Sequence, residues 1–259
     1  MKNYYYLIEF QYLGFRYHGW QKQPELKTVQ GMVEKTVNYV LGYNTFKTLS
    51  ASRTDAMVSA NQSAFELFLR EPIDADRMLE DLNINLPPDI RALSIQEVDQ
   101  KFNIIQHAKE KEYLYLFSFG QKNHPFCAPF MTYVSDNLNI NLMKEGAKIF
   151  EGTHDFRRYC YKPTEFTKYN RSILVSEIVP NDLYTASFFP SESFIYRVKG
   201  SGFMRHQIRI MMETLFRLGK GELSLEEIRE SLTGSTSELM NGVAPSSGLM
   251  LHGVHFDKD

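Results

Sequence analysis

The residues with the clearest chemical potential lie in Ser52-Arg53-Thr54-Asp55, where a guanidinium and a carboxylate stand two positions apart at the end of a strand-like run. In extended backbone such residues point to the same side, so Arg53 and Asp55 can face one cleft, where the cation favours the ionised acid. Taken alone, a Thr-Asp turn beside an arginine is more often a capped loop with a surface ion pair. A second group is the run from Gly200 to Met212, Gly-Ser-Gly-Phe-Met-Arg-His-Gln-Ile-Arg-Ile-Met-Met, a turn feeding a helix over Arg205 to Leu218. Ile208, Met211, Met212 and Leu215 fall on one side and the cations on another. Arg205 and Arg209 are four apart, and His206 and Arg209 three apart. That spacing builds one surface able to hold a carboxylate or a phosphate, though, taken alone, a solvated basic face is the commoner outcome. Third, Tyr113 and Tyr115 alternate along Glu112 to Phe117, where an exposed ring can stack on a nucleobase and a buried one simply packs. Gly152-Thr-His154-Asp155-Phe156 reads as a helix-ending turn with structural hydrogen bonds. The sequence contains no GxxxxGK[ST], GxGxxG or HExxH pattern, so nucleotide hydrolysis, dinucleotide binding and zincin chemistry have no foothold.

The elements that must position these groups follow from periodicity. Alternation predicts strands at Tyr4 to Phe10, Thr48 to Ser52, Gln62 to Leu69, Ala92 to Asp99 and Glu112 to Phe119. Helical spacing predicts Val29 to Leu41, between a Thr28 cap and Gly42, and Asp74 to about Asn83. Gly120 to Pro129 reads as a crossover, dividing the chain into an N-terminal half, 1–120, and a C-terminal half, 121–259. In the second half, helices are predicted at Leu142 to Phe150, at Arg205 to Leu218 ended by Gly219, and at Leu225 to Leu232, opened by a Ser224/Glu227 capping box. Strands are predicted at Ser172 to Val179, Ser193 to Lys199 and Gly248 to Phe256. Lys162 to Asn170 and Ser235 to Ser247 read as loops. The fold class is α+β, with mixed, mainly antiparallel sheets.

Composition sets outer limits. With 43% hydrophobic and 23% charged residues among 259, the balance is that of a globular protein. Its apolar runs are strand-sized, well short of the roughly 20 residues of a membrane span. The opening MKNYYYLIEF lacks the layout of a secretory signal, so a cytoplasmic location is expected. Cys127 and Cys160 are expected to be buried free thiols, with no metal site. A net charge of −2 speaks mildly against nucleic acid, but residues 151–220 hold 11 Lys and Arg against 7 Asp and Glu, a local basic bias.

Taken together, the motifs resemble the TruA family of tRNA pseudouridine synthases. In order they are Tyr12-Leu-Gly-Phe-Arg-Tyr-His-Gly-Trp20-Gln21, Arg53-Thr54-Asp55-Ala56, Tyr113, Gly152-x-His154-Asp155-Phe156, Gly202-Phe203-Met204-x-His206-Gln207-Ile208-Arg209, and Ala244-Pro245 to Gly248-Leu249. The resemblance implies two α/β halves flanking a central active-site cleft, a homodimer that cradles tRNA, and conversion of uridine to pseudouridine in the anticodon stem-loop at positions 38 to 40. Asp55 would be the catalytic carboxylate, Arg53 the residue that helps extrude the base, Tyr113 the ring stacked near it, and Arg209 the ion-pair partner of Asp55. Arg53, Tyr113, Arg205 and His206 would contact RNA. The isomerisation breaks a C–N bond and forms a C–C bond to the same uracil without net redox change, so no cofactor is expected. Many bacterial relatives read RTDAGVHA where this chain has Met57 and Ser59, and the FMxHQIR form looks more like the eukaryotic branch. A usual FxAR motif appears as Phe102-Asn-Ile-Ile105, which removes an arginine suited to phosphate. That loss favours the rival reading, a catalytically silent tRNA-binding or folding protein on the same scaffold. Retention of Arg53, Asp55, Tyr113 and Arg209 favours the enzyme.

Overall fold

A computed structural model describes residues 3–256. The chain divides into two compact units, Met1–Lys109 with Met250–Asp259, and Glu110–Leu249.

The first unit begins with β1 (Tyr4–Tyr12), in which Tyr6, Ile8, Phe10 and Tyr12 are buried at every second position, as one face on a core requires. Helix α1 (Val29–Leu41) buries Val29, Val33 and Val37; Thr28 caps it by accepting the Gly31 N–H, and Gly42 ends it at φ +74°. Then come β2 (Lys47–Ser50), β3 (Ser59–Leu69), α2 (Ala75–Asn85, capped by Asp74), β4 (Ile90–Val98) and a single turn, α3 (Ile104–His107). β1 lies between β3 and β4, antiparallel to both, and β2 pairs antiparallel with β3. The rings of Phe10, Trp20 and Phe65 meet at 5.2 to 6.0 Å in the core of this unit.

The second unit contains most of β5 (Ala108–Phe119), β6 (Thr132–Val134), α4 (Ile140–Ile149), β7 (Gly152–Asp155), β8 (Asn170–Pro180), β9 (Phe194–Gly200), α5 (Gln207–Gly219) and α6 (Leu225–Ser231). Its strands run in the order β5-β9-β8-β7, antiparallel throughout, with β6 parallel to β5. Helices α4 and α5 pack closely because position 146 is glycine: a Cβ there would stand 2.3 Å from Leu218 Cδ2. The final strand, β10 (Leu249–Phe256), pairs parallel with β3 through Met250 and Leu251, so the chain ends in the unit where it began. The architecture is therefore α+β, and its strand pairing is mixed but mainly antiparallel.

Four local expectations change. Gly152–Asp155 is a strand paired with Asn170–Ile173 and not a helix-ending turn, because its backbone groups find partners in β8. Helix α5 starts at Gln207, since His206 is left-handed at φ +59° and cannot continue a helix. Gly219 is the last helical residue, buried against Met143, and the left-handed stop falls at Gly221, φ +77°. The turn α3 was not expected; the Asn103 side chain creates it by accepting the Ile105 and Gln106 N–H groups. The Ser224/Glu227 capping box forms as expected, and both cysteines are buried free thiols.

Candidate active site

The loop between β2 and β3 carries Asp55, and its backbone is tied to the first unit's core at several points. Ala51 still donates to the Ala64 carbonyl at 3.0 Å, so strand pairing holds the loop's start. At Thr54 the carbonyl accepts the Trp20 N–H at 3.2 Å, and Oγ1 lies 2.8 Å from the Tyr12 hydroxyl. The Asp55 carbonyl accepts the Val58 N–H at 3.2 Å, which closes a turn over Ala56 and Met57. Met57 has φ +66°, the third-position geometry of a type II turn, where glycine is relaxed and methionine is strained. The Met57 N–H donates to the Tyr17 carbonyl at 2.9 Å.

Tyr12, Tyr17, Gly19 and Trp20 thus form a shelf under the turn. Gly19, at φ +83°, allows the approach: a Cβ there would come within 2.6 Å of the Thr54 carbonyl oxygen. Trp20 is buried against Phe10 and Phe65, which roots the shelf in the core. Tyr17 is fixed from its other end, its hydroxyl donating to Asp89 at 2.7 Å while Arg16 holds the second Asp89 oxygen at 2.6 Å. Burial, with the Asp89 hydrogen bond and charge, pushes the Tyr17 phenol well above its ordinary range, so it remains a neutral donor. On this support Asp55 is half-buried and Arg53 is exposed. A carboxylate on a braced turn with one side open to solvent is placed to meet a substrate.

The other expected residues stand in the second unit. Tyr113, on β5, is half-buried and meets Phe203 edge to face at 5.4 Å. Tyr115 shares its face of the strand but is fully buried, hydrogen-bonded to Thr132 and to the Pro245 carbonyl at 2.8 Å each, and its phenol is pushed up by burial. Of the two rings, only Tyr113 is open to solvent enough to reach a base. Arg209, in the first turn of α5, donates through Nε to the Ala244 carbonyl at 2.8 Å, while its own carbonyl accepts the Ala244 N–H at 3.1 Å. That double tie fixes the guanidinium stem. It also gives a physical role to the Ala244-Pro245 motif, which locks both Arg209 and Tyr115. Arg205 and His206 do not share the helix face with Arg209 that their spacing suggested; they occupy the turn before it, Arg205 exposed and His206 half-buried.

Sequence reasoning did not single out Tyr161, whose ring stacks on His206 at 4.7 Å. It borders a loop without periodicity, and nothing in its spacing links it to residue 206. His154 and Asp155 are structural: the imidazole Nε2 lies 2.7 Å from the Glu151 carbonyl, and the Asp155 carboxylate takes a bidentate Arg157, whose hydrogen bonds hold it below the usual carboxylate range. A hollow of about 300 Å³ bordered by Arg158, Arg217, Glu227, Glu230 and Glu238 contains none of the expected site residues. Its three glutamates disfavour a phosphate there.

A profile of the family described as tRNA pseudouridine synthase matches residues 147–257, which include Arg205, His206 and Arg209. The tRNA pseudouridine synthase A 2 of Bacillus cereus is 30% identical over 253 residues, 97% of this chain and 99% of the relative. Proteins named tRNA pseudouridine synthase A from Anoxybacillus flavithermus and Staphylococcus aureus are each 29% identical, over 95% and 98% of this chain and 96% and 91% of their own lengths. This chain belongs to the TruA family of tRNA pseudouridine synthases, isomerases that act on uridine in tRNA.

Proposed function

We propose that Asp55 is the carboxylate with which this chain isomerises uridine to pseudouridine, in the anticodon stem-loop of tRNA at positions 38 to 40. The observation that carries the role is the turn itself: a half-buried acid whose backbone is tethered through Thr54 and Met57 to a shelf of Tyr12, Tyr17 and Trp20. Such tethering suits a group that must meet a sugar carbon in one geometry. A uracil cannot be detached and turned while it is stacked in RNA, so the nucleotide is flipped out. Arg53 fills the vacated space, and Tyr113 supplies ring contact to the extruded base.

The carboxylate then either adds to C1′ of the ribose or removes the 2′-proton to leave a glycal. Either way the C1′–N1 bond breaks, the uracil turns, and C1′ bonds to C5 as the carboxylate leaves C1′ or, in the glycal route, the proton returns to C2′; the C5 proton is lost and N1 gains one. Both routes need Asp55 in its carboxylate form, and Arg209, its stem fixed by Ala244, is assigned as a second catalytic residue. Atoms balance without an external donor or acceptor, so the reading calls for no cofactor. Arg205 and His206 contact the RNA backbone, the active species is a homodimer, and the site of action is the cytoplasm. Among the described residues no helix is long and apolar enough to cross a membrane, which accords with that location.

The test is pseudouridine mapping in tRNA after incubation with wild-type protein, Asp55→Asn and Arg209→Ala. Asp55→Asn should lose turnover by at least about 10³-fold while still binding tRNA. Arg209→Ala should lower kcat more than it raises the half-saturating tRNA concentration. A rival reading, a silent tRNA-binding protein, is favoured by Ile105, 60% exposed at the position where the family's usual FxAR motif would place an arginine suited to phosphate. Unmodified tRNA after treatment with wild-type protein that binds it tightly would establish that rival.

A further inference from the structure

Tyr161 lies at the entrance to the loop before β8, and three side chains gather on its ring. The His206 imidazole stacks on it with centroids 4.7 Å apart and planes inclined by 10°. The Arg205 Cζ stands 5.5 Å and the Lys162 Nζ 5.3 Å from the ring centre. The backbones are in register, since the Tyr161 N–H donates to the Arg205 carbonyl at 3.0 Å. Lys162 and His206 both adopt left-handed backbone, φ +47° and +59°, a conformation that costs a non-glycine residue about 1 kcal/mol or more. Two such residues flanking one ring mean that the surroundings impose the arrangement.

The charges are the informative part. Elsewhere Arg16, Arg157, Arg197 and Lys220 each face a carboxylate within 3 Å. Arg205 and Lys162 are exposed, and neither makes an ion pair among the described residues. A cation held by a carboxylate has committed its donors, whereas one steadied by an aromatic ring keeps its N–H groups for an anion. Arg171, close enough to influence the Cys160 thiol one residue before Tyr161, adds positive potential.

We propose that Tyr161, Lys162 and Arg205, braced by His206, form a clamp for backbone phosphodiesters of the RNA substrate. The inference rests on the reading of tRNA as substrate and adds Tyr161 and Lys162 to its recognition. The ring is the organiser: it does not touch the phosphate, but it holds two flexible cations in the positions that do.

Binding of an unmodified tRNA transcript, measured from roughly 50 to 200 mM salt, tests the clamp. The double variant Lys162→Gln/Arg205→Gln should weaken binding about tenfold and reduce the slope of log affinity against log salt by about 0.7 to 0.9 for each phosphate no longer neutralised. Tyr161→Phe should bind as wild type because the ring face remains; Tyr161→Leu should lose affinity although both cations are present. The pair Lys162→Arg and Arg205→Lys should restore most of the slope, and thermal melting checks that each variant is folded. An unchanged slope in the double variant, or wild-type affinity in Tyr161→Leu, overturns the clamp. Wild-type protein that binds with the expected slope but leaves uridine unmodified overturns the enzymatic reading and not the clamp.

Discussion

At the scale of single residues, the Asp55 turn carries a strain that can be measured. Met57 occupies a left-handed position at φ +66°. Relief of that strain, worth about 1–2 kcal/mol, outweighs the extra unfolded-state freedom of glycine, which costs about 0.4–1 kcal/mol. Met57→Gly should therefore raise stability by about 0.5 kcal/mol, read as a higher denaturation midpoint with an unchanged slope. Gly19→Ala should do the reverse. It adds a Cβ 2.6 Å from the Thr54 carbonyl oxygen at φ +83°, so a loss of about 2–3 kcal/mol is expected, together with reduced turnover in the folded fraction, because the displaced carbonyl precedes Asp55. A variant as stable and as active as wild type would refute the shelf. The residue types Arg53, Asp55, Tyr113 and Arg209 were legible from motif order. Nothing in the spacing showed that Tyr12, Tyr17 and Trp20 tether the turn, since those bonds join residues about 34 to 42 positions apart.

At the scale of elements, caps were the most readable features. Thr28 and Ser224 each accept the N–H that helix entry leaves free, as expected from their residue types at a boundary, and Asp74, read as the first helical residue, is likewise a cap. The segment 152–155 was less readable, because four residues rich in turn formers become a strand only when β8 is available to pair with them. Its end is fixed by Asp155, which accepts the Arg157 side chain and backbone. Hydrogen bonding from Arg157 depresses the Asp155 pKa, so the charged form is the stabilising one. That contribution is complete above the unfolded carboxylate value of about 3.9 and is lost as pH falls through the lower folded value. Asp155→Asn should cost about 1–2 kcal/mol at neutral pH, and the gap from wild type should close below about pH 4. A gap independent of pH from 7 to about 2 would show that the charge contributes nothing.

At the scale of the whole molecule, a net charge of −2 must be reconciled with a polyanionic substrate. Position resolves this better than total charge: residues 151–220 hold 11 basic against 7 acidic side chains, and they include Arg205, Lys162 and Arg209. In the proposed homodimer two such segments face one tRNA, which raises affinity without altering the chain's overall charge. Sedimentation should accordingly give a mass about twice 30.2 kDa at micromolar protein. A monomer that turns over tRNA at full rate would refute the proposed dimer. The sequence by itself determined the α+β class, the positions of the long helices and strands, and the family, because hydrophobic period, capping chemistry and ordered motifs are local properties. Only the tertiary structure decided that Tyr113 and not Tyr115 is open to solvent, that Ala244 locks Arg209, that the last strand rejoins the first unit, and that Tyr161 gathers His206, Arg205 and Lys162. Each of these depends on which distant segments meet, and a meeting of segments dozens of residues apart leaves no period in either of them.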